Sequence, residues 1–539
     1  MQFLVLALLL LLYILIALAH AYLAPLTTGP DELAHYEYVR FIADHGRLPL
    51  NRAERDQASY KSDQPPLFHL IAALPASLID PTGPPHLKRV GDHNRRQLIE
   101  RTRHFWGLYN TEDEQWPYRA EGLRWQMGRW LAILFGAATV AVTFFITRYL
   151  FVNTASVSSK ECQGGEWLAI GAAAVVAFMP RFALTGSMLN YETTLAFLAA
   201  LFLWILLRLA AARRPRPNDT TRTTPHAAPE TVSPITLVLL LGLVTGLAIT
   251  TKLSAVILPF EVVVALWLIG KYQGWVWTKG LRLLSITVVT MFVAISWWFG
   301  FIVYQFNTIA RDGLWVGLLR PLIAADASDA TTNRLLSLLT DGQAGFTGAI
   351  ENLDTGPPWA WAATFFRTFW VVGIEGVQPL GRFGLLAALV LCLLAGFGLV
   401  RIWRRSNDGS GDSKNQRSSL SPPDNIDYEH GQAQTPSTIN TFDNRLVLSL
   451  LLLHLAMPAI LPLLRYAVTA SLADTAQGRH ILFIAAPAFA ILLVWGFVET
   501  IAGPTSQNPH PRTPIPHPPS FLPALFLLLW TGVQLWSMT

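Results

Sequence analysis

Just after the first apolar run, the segment Thr27-Thr28-Gly29-Pro30-Asp31-Glu32-Leu33-Ala34-His35-Tyr36-Glu37-Tyr38 gathers acids, an imidazole and phenols. Pro30 after Gly29 predicts a helix start, with proline at the first helical position and acids in the first turn. In such a helix Asp31, His35 and Tyr38 share one face at i, i+4 and i+7. Asp31 and Glu32 then have two readings. They are first-turn acids that only complement the helix dipole, or Asp31 projects from a juxtamembrane helix end into a membrane-level cavity, where a carboxylate can act as a base. Three further groups sit at the ends of later apolar runs: Glu192 after Asn190-Tyr191, Lys252 after Thr251, and Arg479 in Gln477-Gly478-Arg479-His480. Each has a plain alternative. Glu192 can serve the dipole of its own helix, Lys252 can snorkel to the interface, and Arg479 can pair with Asp474 or a lipid headgroup.

The elements that must position these groups are apolar runs. Of 539 residues, 52% are hydrophobic and only 14% charged, against about a quarter charged in globular domains. The apolar residues cluster in stretches of roughly 17–25, the length that crosses about 30 Å of hydrocarbon. This excludes a soluble multidomain protein. With Gly 37, Pro 35 and Cys 2, collagen-like and disulfide-scaffold classes fail too, and a net charge of +5 gives no reason to expect a nucleic-acid partner. Cys162 and Cys392 read as packing residues.

Runs at 3–22, 127–151, 167–183, 191–211, 234–250, 253–270, 283–304, 381–402, 446–465, 480–500 and 521–537 predict about eleven crossings. The first contains a cleavage-like Ala17-Leu18-Ala19, but its apolar stretch is longer than a usual signal core, and it is expected to be a retained helix. Short loops carrying Arg208, Arg213, Arg214 and Arg216, then Lys271, Lys279 and Arg282, then Arg401, Arg404 and Arg405, all fall on the cytoplasmic side if the amino terminus is inside. The same orientation puts three low-complexity segments, Arg213–Pro234, Ser406–Asn444 and Gly503–Ser520, in the cytoplasm; such composition buries too little apolar surface to offset ordering. The outer side then holds Asp31, Glu192, Lys252 and Arg479.

The expected fold is an all-α integral membrane protein, a polytopic bundle with a long first extracytoplasmic loop bearing juxtamembrane helices. Its divisions are a first helix at 1–24, the outer loop at 25–125, helices two to seven at 126–306, and a second outer loop at 307–380. Helix eight follows at 381–403, then a disordered cytoplasmic linker at 404–444 and helices nine to eleven at 445–539. Leu67–Ile79 is too short to span and is expected to be interfacial or re-entrant. Pro357–Gly373, rich in Trp and Phe, suits the headgroup zone.

The run Pro30-Asp31-Glu32, then His35-Tyr36, Gly46-Arg47-Leu48-Pro49 and Gln64-Pro65-Pro66-Leu67 resembles the first outer loop of GT-C membrane glycosyltransferases, in the branch of protein O-mannosyltransferases and the lipid A aminoarabinose transferase. Gly242-Leu243-Val244-Thr245-Gly246-Leu247-Ala248, ending at Thr251-Lys252, is similar to the family's Gly-rich helix closing in Lys. Gln477-Gly478-Arg479-His480 is similar to its late Gln-Gly-Arg-Tyr segment, with His480 in place of Tyr. Ser187-Met188-Leu189-Asn190-Tyr191-Glu192 departs from the family's Asn-acid pair by inserting Tyr191. The resemblance implies an enzyme that moves a sugar from a polyprenyl-phosphate carrier to an acceptor protein, lipid or polysaccharide, on the outer face of a bacterial cytoplasmic membrane.

On that resemblance the catalytic set is Asp31, as base, with Glu32 and Glu192; His35, Asn190, Lys252, Arg479 and His480 bind substrate. A phosphate leaving group is a weak base, so it needs cations rather than a second carboxylic acid, and one displacement inverts the anomeric carbon. The polyprenyl-phosphate-linked sugar is the donor substrate and no cofactor is certain; the sequence leaves dependence on a divalent metal open, although the spacing of His86, His93 and His104 does not suggest a metal site. Two other readings stay open. A transporter or flippase is suggested by Glu261, an acid inside a span beside Pro259, and a non-catalytic subunit by the departures at Tyr191 and His480.

Overall fold

Apolar runs become helices largely where their periodicity and length place them. The computed structural model describes residues 2–26, 29, 31–80, 116–152, 159–212, 232–309, 355–370, 382–418 and 444–501. In chain order the helices are α1 (Gln2–Leu23), α2 (Glu32–His45), α3 (Arg52–Gln57), α4 (Leu67–Ala76), α5 (Ala120–Phe151), α6 (Ser159–Ala177), α7 (Pro180–Gly186) and α8 (Glu192–Ala211). They continue with α9 (Pro234–Thr251), α10 (Ile257–Gln273), α11 (Trp277–Ile309), α12 (Pro358–Trp370), α13 (Arg382–Ser418), α14 (Asn444–Thr469), α15 (Leu472–Thr475) and α16 (Arg479–Ile501). Among the described residues nine helices are long and apolar enough to cross a membrane, or ten if the bent pair α6–α7 counts as one. The chain is a multi-pass integral membrane protein. The expected eleventh span, 521–537, lies outside the described residues, as do Pro30, His86, His93, His104 and the low-complexity stretch 502–520.

Three expectations change. The run at 167–183 is not one straight span: it breaks between Ala177 and Pro180 and bends by 58°. Pro180 lacks the N–H that would continue the ladder and clashes with the preceding turn, so it starts a new helix instead. Helix α13 extends to Ser418, into the segment expected to be linker from 404, because adding residues to an already nucleated helix is far easier than starting one. Asp31 is not within the first turn; it is the residue before it, and Glu32 opens α2.

Helix α16 is the most enclosed, with 89% of its apolar window buried, whereas α1 and α13 bury 22% of theirs and lie at the periphery. Helix α9 packs against α11. There a Cβ on Gly242 would come within 2.4 Å of the Thr287 carbonyl, and one on Gly246 within 2.5 Å of Ala294 Cβ. These two glycines, four apart, let the backbones approach as small residues do in membranes.

A second, smaller core joins the loop helices to this bundle. Tyr36, Tyr38, Val39 and Phe41 of α2, Phe68 and Ala72 of α4, Trp125 of α5, and Leu189 and Tyr191 pack together. Arg124 of α5 locks the arrangement, donating to Asp44 Oδ1 at 2.6 Å and to the Ile79 carbonyl at 3.0 Å. Helices α2 and α4 are thereby seated on the ends of the spans.

Candidate active site

Asp31 caps α2 from a left-handed backbone conformation, φ 56° and ψ 15°. Few non-glycine residues sit there, aspartate among the more tolerant, and such positions concentrate at functional sites. Its carboxylate makes no capping bond to its own helix. It turns instead to the turn Tyr60–Asp63: the Tyr60 hydroxyl donates to Oδ1 at 2.7 Å, and Lys61 Nζ stands 3.2 Å from Oδ2. The Asp31 side chain remains 35% exposed, while Lys61 is only 5% exposed. Burial pushes the Asp31 carboxyl up, but Lys61, Arg479 and the Tyr60 hydroxyl together outweigh it and hold it far below the usual carboxylate range.

The neighbouring Glu32 goes the other way. Its carboxylate is fully buried and grips Arg129 of α5 through both oxygens, at 2.7 and 2.8 Å. It also accepts from Leu189 N at 2.9 Å and Gly29 N at 3.2 Å. Arg129 spends its remaining hydrogens on the carbonyls of Ala21, Ala24 and Pro25. The pair thus ties the end of α1, the start of α2, the body of α5 and the turn before α8 to one point. The structure places Glu32 in this framework, and it is not among the residues that line the cavity described below.

The break at Pro180 delivers the rest of the wall. From Arg181 to Leu195 the chain is buried throughout, and Asn190 shapes it by donating to the Thr185 and Met188 carbonyls while its Oδ1 accepts from Glu192 N at 2.8 Å. Glu192 Oε1 meets Lys252 Nζ at 2.9 Å, and its Oε2 is buried with no hydrogen-bond partner among the described residues. Tyr191 stands between the lysines: the Lys61 and Lys252 ammoniums lie 5.3 and 5.1 Å from its ring centroid, and Lys61 also donates to its hydroxyl at 3.3 Å.

Arg479 opens α16. The preceding Gly478 is pressed against α12, where a Cβ would lie 2.3 Å from the Phe369 backbone, and its N–H donates to Thr368 Oγ1 at 2.9 Å. The aromatic helix thereby clamps the segment that presents Arg479. Asp31, His35, Thr185, Asn190, Tyr191, Glu192 and Arg479 line one small cavity.

Of the residues singled out in the sequence, Asp31, His35, Asn190, Glu192 and Arg479 therefore share a wall, and Lys252 reaches it through Glu192. His480 is buried but outside that wall. Lys61, Tyr60, His69 and Arg129 were not anticipated. Lys61 precedes Gln64-Pro65-Pro66 by three residues, and that motif is the one sequence signal near it. Cations outnumber anions at the site: Lys61, Lys252 and Arg479 face Asp31 and Glu192. Among the described residues no three His, Cys, Asp or Glu side chains gather at metal-binding range. Glu261 does not join the cavity; it pairs with His454 of α14 at 2.8 Å, both fully buried inside the bundle.

No protein-family profile matches the chain, and no curated protein does. Among solved structures it is similar to ArnT from Cupriavidus metallidurans bound to undecaprenyl phosphate, with 14% identity and a TM-score of 0.32 over 91% of this chain and 77% of that one. The same values hold for the apo state of that protein. The Archaeoglobus fulgidus oligosaccharyltransferase in its apo form aligns with 12% identity and a TM-score of 0.40 over 98% of this chain and 54% of that one.

Proposed function

We propose that the protein is a membrane glycosyltransferase that moves a sugar from a polyprenyl-phosphate carrier to an acceptor nucleophile, with Asp31 as base. The observation that carries this reading is the meeting, in one cavity, of a carboxylate backed by Lys61 and Arg479 with a second carboxylate backed by Lys252. A lipid-linked sugar phosphate is a diester with one negative charge, and the site's cations exceed its anions by one.

The donor phosphate takes Lys61 and Arg479 as partners. That releases the Asp31 carboxylate to accept the proton of an attacking hydroxyl. The new bond forms between the acceptor oxygen and the anomeric carbon as the bond from that carbon to the phosphate oxygen breaks. The departing electrons stay on the phosphate, where charge-assisted bonds to Lys61 and Arg479 stabilise them. Glu192, fixed by Lys252 and Asn190, turns its remaining oxygen to the sugar hydroxyls. One in-line displacement inverts the anomeric carbon.

The site faces the extracytoplasmic side in the orientation set by the arginine-rich loops. The test is purified protein in detergent with a panel of labelled undecaprenyl-phosphate-linked hexoses and pentoses. Transfer without a sealed compartment, lost in Asp31→Asn, is the expected result. Full transfer by Asp31→Asn sinks the assignment of the base, and lipid movement in sealed vesicles without transfer would favour a flippase.

A further inference from the structure

Asp31 is gripped by a turn whose own backbone is strained. Ser59, the residue before Tyr60–Asp63, sits at φ 66° and ψ 173°, a region almost reserved for glycine that other residues keep only where their contacts hold them. Those contacts are specific. Ser59 Oγ donates to the Ala34 carbonyl of α2 at 2.7 Å and accepts from Lys61 N at 3.3 Å, while Ser62 Oγ donates back to the Ser59 carbonyl at 2.7 Å. Ala34 lies in the first turn of α2, just beyond Asp31. The strained turn is thus pinned to the same piece of helix that carries the carboxylate it touches.

Each Asp31 oxygen has its own partner. The Tyr60 hydroxyl donates to Oδ1 at 2.7 Å, and Lys61 Nζ stands 3.2 Å from Oδ2. The two partners differ in what can draw them away. Lys61 carries its charge on a flexible four-carbon stem with three donors, and it already divides them between Asp31 and the Tyr191 hydroxyl at 3.3 Å. A phosphate attracts that charge. Tyr60 is neutral, with one donor on a rigid ring, and the Ser59 contacts fix its turn. Arg479 also faces Asp31 from α16, and the titratable His35 faces it from α2.

We propose that Tyr60 is a positioning residue that keeps Asp31 Oδ1 throughout the reaction, so that Oδ2, vacated by Lys61 when the donor phosphate takes that ammonium, is the oxygen that receives the acceptor's proton. The role rests on the glycosyltransferase reading. The acceptor oxygen bonds to the anomeric carbon as the bond from that carbon to the phosphate oxygen breaks. Its proton passes to Oδ2, and the electron pair leaves with the phosphate. In the rival arrangement the acceptor displaces Tyr60 and uses Oδ1, so loss of the phenol would help turnover rather than harm it.

The test is Tyr60→Phe, which keeps the ring and removes only the donor; the residue is 60% exposed, so the fold does not depend on that oxygen. The kcat is expected to fall about tenfold, the scale of one hydrogen bond to a charged group, with the donor KM in place. A donor to the carboxylate favours its charged form, so without Tyr60 the Asp31 midpoint rises and the acid limb of kcat moves to higher pH. Faster turnover or a lower acceptor KM in Tyr60→Phe overturns the proposal, as does an unmoved acid limb.

A second readout needs no turnover. In protein labelled with ¹³C at tyrosine Cζ, the Tyr60 signal is identified by its loss in Tyr60→Phe. It is expected to shift in Asp31→Gly, which leaves no side-chain acceptor, and to keep its wild-type position when undecaprenyl phosphate is added, with binding followed by the ³¹P signal of that lipid. A move on lipid binding to the Asp31→Gly position means that Tyr60 lets go, and it sinks the proposal; so does a signal indifferent to Asp31→Gly. If the lipid does not bind while Tyr60 still responds to Asp31→Gly, the donor reading fails and the Tyr60–Asp31 contact stands.

Discussion

Glu32 holds Arg129 through both carboxylate oxygens, at 2.7 and 2.8 Å with neither side chain exposed, and Asp31 beside it is bent into a left-handed turn toward the cavity. Adjacent acids thus divide the work: one anchors the backbone, and the other lines the cavity, held by Tyr60 and Lys61. The division follows from geometry, since a residue before a helix and the residue opening it project in different directions.

Breaking the anchor should cost folding stability. Removing one partner of a buried pair strands the other as an uncompensated charge, a loss of about 3–5 kcal/mol. Glu32→Gln and Arg129→Gln are each expected to melt well below the wild type in detergent, and the double variant should lose less than the two single losses added. Additive losses would show that the two side chains do not act as a unit.

Lys61 is expected to set the acid limb of activity. Asp31 is held far below its ordinary 3.8 by the cations and hydrogen bond that outweigh its burial. A depressed carboxylate contributes stability that is present above its unfolded value and lost as pH falls toward its folded value. Lys61→Met removes the strongest of those cations, so the Asp31 midpoint rises and the acid limb of kcat/KM moves to higher pH. Donor KM should rise in the same variant, because the phosphate loses a partner. An unmoved acid limb with raised KM would confine Lys61 to binding.

His69 gives a separate acid sensitivity, read in folding. Burial, helped by Lys61, lowers it from 6.5 to about 3, so the unfolded chain binds the proton first. Stability is therefore complete above about pH 6.5 and declines as pH falls from there toward 3, by at most about 1.4 kcal/mol per pH unit for one group. Melting temperature against pH in detergent should show the decline, and His69→Phe should flatten part of it. A wild-type melting curve level between pH 6.5 and 4.5 contradicts a buried neutral His69.

Much of the bundle was legible because membrane length and apolar runs leave few alternatives, and the ends carrying Asp31, Glu192, Lys252 and Arg479 do converge. What was not legible is contact at long separation. Nothing in the spacing ties Lys61 to Asp31, 30 residues away and facing it only because the turn Tyr60–Asp63 folds back. Arg129, at mid-helix in an apolar run, gave no sign that Glu32 would meet it 97 residues on. The Pro180 break was hidden because hydropathy continues across it, while hydrogen-bond continuity does not. Tyr191 stood out as an insertion, and its position between Lys61 and Lys252 gives that insertion a structural meaning.

The left-handed turn at Asp31 makes the decisive substitutions separable. Glycine escapes the Cβ crowding that costs other residues about 1–2 kcal/mol here, and asparagine, like aspartate, offsets part of it with a short polar side chain that alanine lacks. Asp31→Asn and Asp31→Gly should therefore express and melt close to the wild type, while Asp31→Ala melts lower. All three lack a carboxylate, so all three should lose transfer by roughly 100-fold or more, the scale of a missing general base. The order of melting temperatures reports the backbone, and the common loss of turnover reports the chemistry. If Asp31→Ala melts with Asp31→Asn, the turn is not strained as described; if Asp31→Asn keeps turnover within a few-fold, the base is another group.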